Sequence, residues 1–431
     1  MRAFSPRLML IAASLSLIVI FYAAWRSHPA HQLAPFALPD TSNETPAVKQ
    51  QALYSSRFVS SGLKDFVHSS SVTALPGGDL MAVWFAGSRE GAADVEIRTA
   101  RFVAQRGEWG AEHVLATRAS TSAGTQRHIR KLGNPVIALA PDKRLWMFFV
   151  SVSVGGWAGS AINVMDSADL GKTWSAPRQL ITSPFFNIST LVRAAPVFHT
   201  DGSIGLPVYH EFLGKFAEYL YLSPEGDVVD KFRISRGNHS LQPTIVPLDE
   251  QRAVAMLRYA GETHHRVLAS RTEDAGQTWS EPYPLAPSNP NSSLAAVGLS
   301  GDRLLVALND LQEGRFKLSL YETDARLSHW RTVVELDQSP DPMGQPFTLD
   351  AYKIIIAEDF RASSGAQRSA LQQQFLSNLD YRVCKPQGCD FEYEYPYFSR
   401  SSDGIYHLVY SWNNTFIKHV SFNEAWLAER L

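Results

Sequence analysis

The chain has 431 residues, 45% apolar and 19% charged, which is enough for one large all-β domain or two ordinary ones with a substantial core. Its 40 basic residues nearly cancel its 42 acidic ones, and a formal net charge of −2 gives no electrostatic reason to expect a nucleic-acid partner. The ten Trp, fifteen Tyr and 23 Phe suit a large β core and, equally, a surface that stacks on sugars.

At the N-terminus, Arg2 and Arg7 precede an apolar run from Leu8 to Trp25, with Ser14 and Ser16 as mild interruptions, and Arg26 and His28 follow. At about 1.5 Å per residue this run spans about 27 Å, close to a bilayer core. A cleaved signal has an apolar stretch of about 7–15 residues and a small-residue cleavage site, which Ala23-Ala24-Trp25 matches poorly. The expectation is an anchoring transmembrane helix over 1–26 with Arg2 and Arg7 inside. The remainder then lies in the periplasm, held at the inner membrane; secretion after signal cleavage is the alternative.

Residues 27–52 are rich in Pro, Ala, Ser and Thr without periodic apolar pattern, and read as a tether. From 53 to 431, short strand-like runs alternate with turn signals: 79–87, 144–154, 203–212, 253–261, 303–310 and 404–412. Helix is expected only around Ser369–Leu379 and at the extreme C-terminus. Cys384 and Cys389 are the two cysteines; in an oxidising compartment they form a disulfide, and the alternative is a free pair. No acidic or Cys/His cluster calls for a metal, and no cofactor is expected.

A repeat organises this domain. SADLGKTW (Ser167–Trp174) and RTEDAGQTW (Arg271–Trp279) share a hydroxyl residue, Asp, Gly, Thr and Trp, each followed by Ser-x-Pro. This is the Asp-box turn: Asp caps turn amides, Gly takes a conformation other residues resist, and Trp packs beneath. Degenerate copies are expected at Arg98–Trp109 and Glu322–Trp330. The Trp spacings of 65, 105 and 51 residues fit four-stranded blades, the long gap holding one blade without a box.

With these boxes, the runs HSSSVTALPGGDLMAVWFAGSREGAADVEIRTARF, KLGNPVIAL, PVYHEF, LQPTIVPL, NPNSS, EYPYF and SSDGIYHLVYSW, in this order, resemble the sialidase (neuraminidase) superfamily, particularly its bacterial Asp-box group. The resemblance covers about Phe66 to Ser421 and implies a six-bladed β-propeller with a central site. It implies an arginine triad for a substrate carboxylate, an Asp acid/base and a Tyr nucleophile activated by Glu. Residue by residue, it selects Asp94 as acid/base, Arg258 and Arg315 as carboxylate ligands and Tyr395 as nucleophile. Two positions depart from the pattern: His68 stands for the first arginine and Gln242 for the glutamate.

The residue types carry their own chemistry. Two guanidinium groups offer planar, charge-assisted donors to a carboxylate. A neutral Tyr is a suitable nucleophile at a carbon beside a carboxylate, but its phenol needs a base. His68 can serve as general base. Glu211, with His210 at a strand end, is an alternative carboxylate, and Asn134 and Trp157 can line the pocket. The expected function is an exo-acting glycoside hydrolase for a terminal acidic sugar. A propeller lyase or other glycosidase using His68, and a non-catalytic glycan-binding envelope protein, are the alternatives.

Overall fold

The computed structural model describes residues 5–27, 32–39, 50–60, 66–183, 187–237, 239–363, 376, 384–385 and 388–431. The chain divides into two units, Met1–Leu33 and Ala34–Leu431.

The first unit contains a helix, Pro6–Ser27. The expected membrane-spanning helix is not supported: among the described residues no helix is long and apolar enough to cross a membrane. Its exposed apolar side chains run from Met9 to Tyr22. That stretch covers about 21 Å at about 1.5 Å per residue, short of a hydrocarbon core of about 30 Å.

The second unit is a six-bladed β-propeller of four- and five-stranded antiparallel sheets. Blade 1 begins at Phe66–Ala74, blade 2 at Lys131–Leu139, blade 4 at Ser240–Pro247, blade 5 at Ala295–Gly298 and blade 6 at Tyr393–Arg400. In blade 3 the innermost position is shared by two short strands, Leu191–Val192 and Val197–Phe198, both paired with Ile204–His210. Blade 6 is completed from the other end of the domain, where Tyr54–Phe58 pairs with Phe416–Phe422. Tyr54–Phe58 gives blade 6 its outermost member and ties the two ends of the domain together, leaving only the short outer edges typical of radial repetition.

The second strands, Leu80–Gly87 and Leu145–Val152, are buried at every residue. Each is covered on both faces by the next blades, so its sequence is a continuous apolar run rather than an alternation. Outer strands meet water; Val228–Arg233 has no buried residue.

Both Asp boxes form as expected. Asp169 accepts Thr173 N at 2.9 Å and Thr173 Oγ1 at 2.6 Å, and Asp274 accepts Thr278 N at 2.8 Å and Oγ1 at 2.6 Å. Gly276, at φ +102°, sits where a Cβ would meet the Tyr219 ring at 2.8 Å, so glycine is required there. The expected copy at Glu322–Trp330 is also a capped turn: Asp324 accepts Ser328 N and Oγ, both at 2.7 Å, and Trp330 Nε1 donates to Leu327 O at 2.9 Å. The copy at Arg98–Trp109 is different. Trp109 Nε1 donates to His419 Nδ1 at 3.3 Å, across the seam to blade 6. Blade 3, between Trp174 and Trp279, lacks a box, as the spacing implied.

Cys384 and Cys389 form a disulfide. The expected helix at Ser369–Leu379 falls almost wholly outside the described residues; a helix does occur earlier, at Leu349–Ser363, and another at Glu424–Ala428. Within the expected tether, Phe36 is fully buried and forms a bridge with His199 on blade 3.

Candidate functional site

Each blade brings at least one non-glycine residue in the left-handed conformation to its axial strand or just before it. They include Ser69, Asn134, Ser189, Gln242, Asn291 and Tyr395, with φ of 53°, 46°, 60°, 48°, 57° and 54°. In four of them the ladder register slips at the same place, between His68 and Ser71, Gly133 and Val136, Leu241 and Thr244, and Glu394 and Tyr397. A bulge breaks the two-residue alternation and re-aims side chains. Such backbone costs about 1–3 kcal/mol per residue and persists only where the surroundings impose it.

Side chains at these bulges form a polar circuit that visits all six blades in order. Ser69 Oγ donates to Asn134 Oδ1 at 3.2 Å, and Asn134 Nδ2 donates to Tyr209 Oη at 3.2 Å. Gln242 Nε2 donates to the same phenol at 3.4 Å, and Arg258 Nη1 donates to Gln242 Oε1 at 3.3 Å. Arg258 Nε then donates to Asn291 Oδ1 at 2.6 Å, while Arg315 Nη2 donates to Asn291 O at 3.1 Å. Arg315 also pairs with Glu394, whose other oxygen lies 3.6 Å from His68 Nδ1. His68 adjoins Ser69, which closes the circuit, and its ring meets Tyr395 edge to face at 4.4 Å.

The two arginines are therefore neighbours, one held by the side chain of Asn291 and the other by its carbonyl. Both are half-buried and open on one side. Arg258 ends the strand Ala253–Tyr259, and Arg315 precedes the strand Lys317–Asp324, as the sequence suggested.

Charge is unevenly spread. Burial holds His68 below its ordinary value, against the opposing pull of Glu394 and Glu90. Burial also opposes ionisation of Glu394, but the charges facing it from His68, Arg315 and Arg258 outweigh this and keep it below the usual range. Arg315–Glu394 is the close ion pair of the circuit. Arg258 makes its described hydrogen bonds to the neutral groups Gln242 and Asn291, and its charge acts on the carboxylates of Glu394 and Glu211 without a direct ion pair to either among the described contacts. Glu211, whose N donates to Ser189 Oγ at 2.9 Å, is raised by burial despite the lowering influence of Arg258 and Lys215.

The other expected residues lie as follows. Asp94 is exposed and accepts Ser88 N and Ser88 Oγ, both at 2.9 Å, bonds internal to its own loop. This is the turn-capping arrangement. The same loop carries Glu90, which acts electrostatically on both His68 and Glu211. Trp157 is half-buried against the strand bearing Asn134; a Cβ on Gly133 would meet its ring at 2.7 Å. Gln242 is 3% exposed and packs beneath the arginines, so it orients Arg258 rather than facing open solvent.

Sequence reasoning did not single out Arg193, Tyr209 or Asn291. Arg193 interrupts an apolar run, Leu191 to Val197, and a lone cation in such a run is a legible signal. Tyr209 and Asn291 carry none: each is a common strand or turn residue until the fold brings its partners. Among the described residues no group of His, Cys, Asp and Glu is arranged to hold a metal.

A family model described as "BNR repeat-like domain" matches residues 78–408. No curated protein sequence matches. Among solved structures, the chain is similar to the Hadza microbial sialidase Hz136, with TM-score 0.61 and 13% identity over 85% of this chain and 67% of that one. It is similar to the intramolecular trans-sialidase from Ruminococcus gnavus in complex with oseltamivir carboxylate, with TM-score 0.58 and 12% identity over 85% of this chain and 96% of that one. It is also similar to a crystal structure of a protein of unknown function from Dyadobacter fermentans, with TM-score 0.60 and 11% identity over 86% and 97% of the two chains. At these identities the likeness is one of fold.

Proposed function

The chain belongs to the BNR repeat-like family, and from that premise we propose that it is a sialidase-type, exo-acting glycoside hydrolase for a terminal acidic sugar. The observation that carries this reading is the meeting of Arg258 and Arg315 on Asn291, with one of the two charges compensated by Glu394. Two adjacent guanidinium groups, only one of them in a direct ion pair, suit a planar anion, and a carboxylate offers the matching pair of acceptors. Similar folds include a sialidase from Trypanosoma rangeli in complex with sialic acid, which supports a carboxylated sugar as the ligand class.

In this reading Arg258 and Arg315 grip the carboxylate, and Asn134 and Trp157 meet hydroxyls and a ring face. Tyr395 is the nucleophile. Its base is His68, held against Tyr395 and backed by Glu394, which takes over from the glutamate that Gln242 replaces. Glu211, raised toward the protonated form, donates the proton to the leaving group. Asp94 is the second candidate for that role, through its loop over the mouth. The disulfide Cys384–Cys389 supports an oxidising compartment, periplasmic or extracellular.

The direct test is turnover of a fluorogenic sialoside and a panel of other acidic glycosides by the propeller, with Tyr395→Phe as control. Release of the sugar that is lost in Tyr395→Phe supports the proposal; inactivity on the whole panel overturns it. The pairing of His68 with Glu394 favours a second reading, a lyase that removes a proton beside a uronate carboxylate. An unsaturated product absorbing in the near ultraviolet identifies that chemistry. If the two departures at His68 and Gln242 mark a binding protein instead, sugar binds without turnover and Tyr395→Phe changes nothing.

A further inference from the structure

Arg193 lies outside the polar circuit and beneath it. It belongs to blade 3, immediately after the strand Leu191–Val192, and is 2% exposed. Its Nη2 donates to Tyr395 O at 2.5 Å and to Pro396 O at 3.1 Å, both on blade 6. In a closed ring of six blades taken in chain order, blades 3 and 6 are opposite. These bonds therefore cross the axis. The guanidinium also lies 5.0 Å from the Tyr395 ring centroid and 5.7 Å from that of Tyr397. Among the described residues no carboxylate pairs with it, and its Nε has no hydrogen-bond partner. Burial pulls it down to about 10, which still leaves it charged at neutral pH.

A buried, uncompensated cation is costly and needs a reason. The two carbonyls it satisfies belong to Tyr395, whose φ is +54°, and to the residue after it. A bulky residue in that conformation must be held there. We infer that Arg193 is the positioning residue for Tyr395: reaching across the axis from blade 3, it locks the left-handed backbone and presents a positive charge to the ring. The inference rests on the reading of Tyr395 as the reacting group, and adds the device that sets its place.

The test is the crystal structure and kinetics of Arg193→Met, whose side chain fills similar volume, with Arg193→Lys as the variant that keeps charge and donors. Thermal unfolding establishes that both are folded. In Arg193→Met, Tyr395 is expected to leave the left-handed region. Turnover should fall about 100-fold with KM little changed, because misplacement of a reacting group costs rate rather than binding. Arg193→Lys should recover part of the rate. Tyr395 unmoved in the folded Arg193→Met structure overturns the inference, as does a loss confined to KM. If the wild-type protein turns over no acidic glycoside, the hydrolase reading fails, and the Tyr395 conformation in the variant still decides the role of Arg193.

Discussion

Gln242 stands where the resemblance to sialidases implies a glutamate, and its surroundings say what a carboxylate would do there. It faces Arg258 at 3.3 Å and the Tyr209 phenol at 3.4 Å. Gln242→Glu is therefore expected to pair with Arg258 and weaken binding of a free acidic sugar by about tenfold, the weight of one charged hydrogen bond, as measured by calorimetry. Arg258→Met should cost about 10- to 100-fold in the same assay for the same reason. A gain of affinity in either variant would sink the carboxylate assignment. His68 gives a pH dependence. Burial holds its imidazole below the ordinary value near 6.5, so the base form persists on the acid side of neutrality. The acid limb of kcat/KM is expected to have its midpoint below about 6.5 and to vanish in His68→Gln.

Elements divide labour between rim and axis. At the rim, Asp-box turns hold hairpins together. Burial opposes ionisation of the Asp324 carboxylate, but bonds from Ser328 and His329 together outweigh it and hold the group well below the usual range; Thr173 leads the groups that draw Asp169 down to about 2. A depressed carboxylate stabilises the fold above its unfolded value near 3.9 and loses that contribution as pH falls through the folded value. Asp324→Ala is expected to cost about 1–2 kcal/mol in chemical denaturation, comparable to loss of a helix cap, with turnover unchanged. Loss of turnover without loss of stability would place this turn in the site. At the axis, the bulged strands spend backbone strain to aim His68, Asn134, Gln242 and Tyr395 inward, and the same substitution logic does not apply there.

For the whole molecule, ring closure is the weak point, because blade 6 is assembled from both ends of the domain. A chain beginning at Phe66 lacks Tyr54–Phe58 and leaves Phe416–Phe422 with an open edge. It is expected to lose cooperative unfolding, whereas one beginning at Ala34 should retain it; calorimetry distinguishes them. The seam also carries acid sensitivity. His407 Nδ1 and His419 Nε2 are 3.2 Å apart, and Trp109 of blade 1 donates to His419. Burial pulls His407 down to about 4, and burial above all also holds His419 well below the ordinary imidazole value. Both are neutral in the fold and bind protons on unfolding. Stability from the pair is complete above the unfolded value near 6.5 and is lost as pH falls toward the folded one. His407 alone should make the protein about 2 kcal/mol less stable at pH 5 than at pH 7, a difference that His407→Phe should abolish in denaturant titrations.

The propeller was legible in the chain because its signals are local. An Asp-box turn is closed by residues within a few positions of each other, as in Asp169 with Thr173 and Asp274 with Thr278, so the motif and its spacing mark a bladed fold, while the number six came with the resemblance to sialidases. Arg258, Arg315 and Tyr395 were selected by the resemblance to sialidases, carried over to where strands end and begin in this chain. The circuit itself was not legible. Asn291, Tyr209 and Arg193 act through partners 24 to 203 positions away; no pattern along the chain distinguishes the first two from ordinary strand and turn residues, and the lone cation in its apolar run marks Arg193 without naming its partners. Only closure of six blades on one axis makes Asn291 the common seat of two arginines, and only that closure lets a cation from blade 3 reach the backbone of Tyr395 on blade 6.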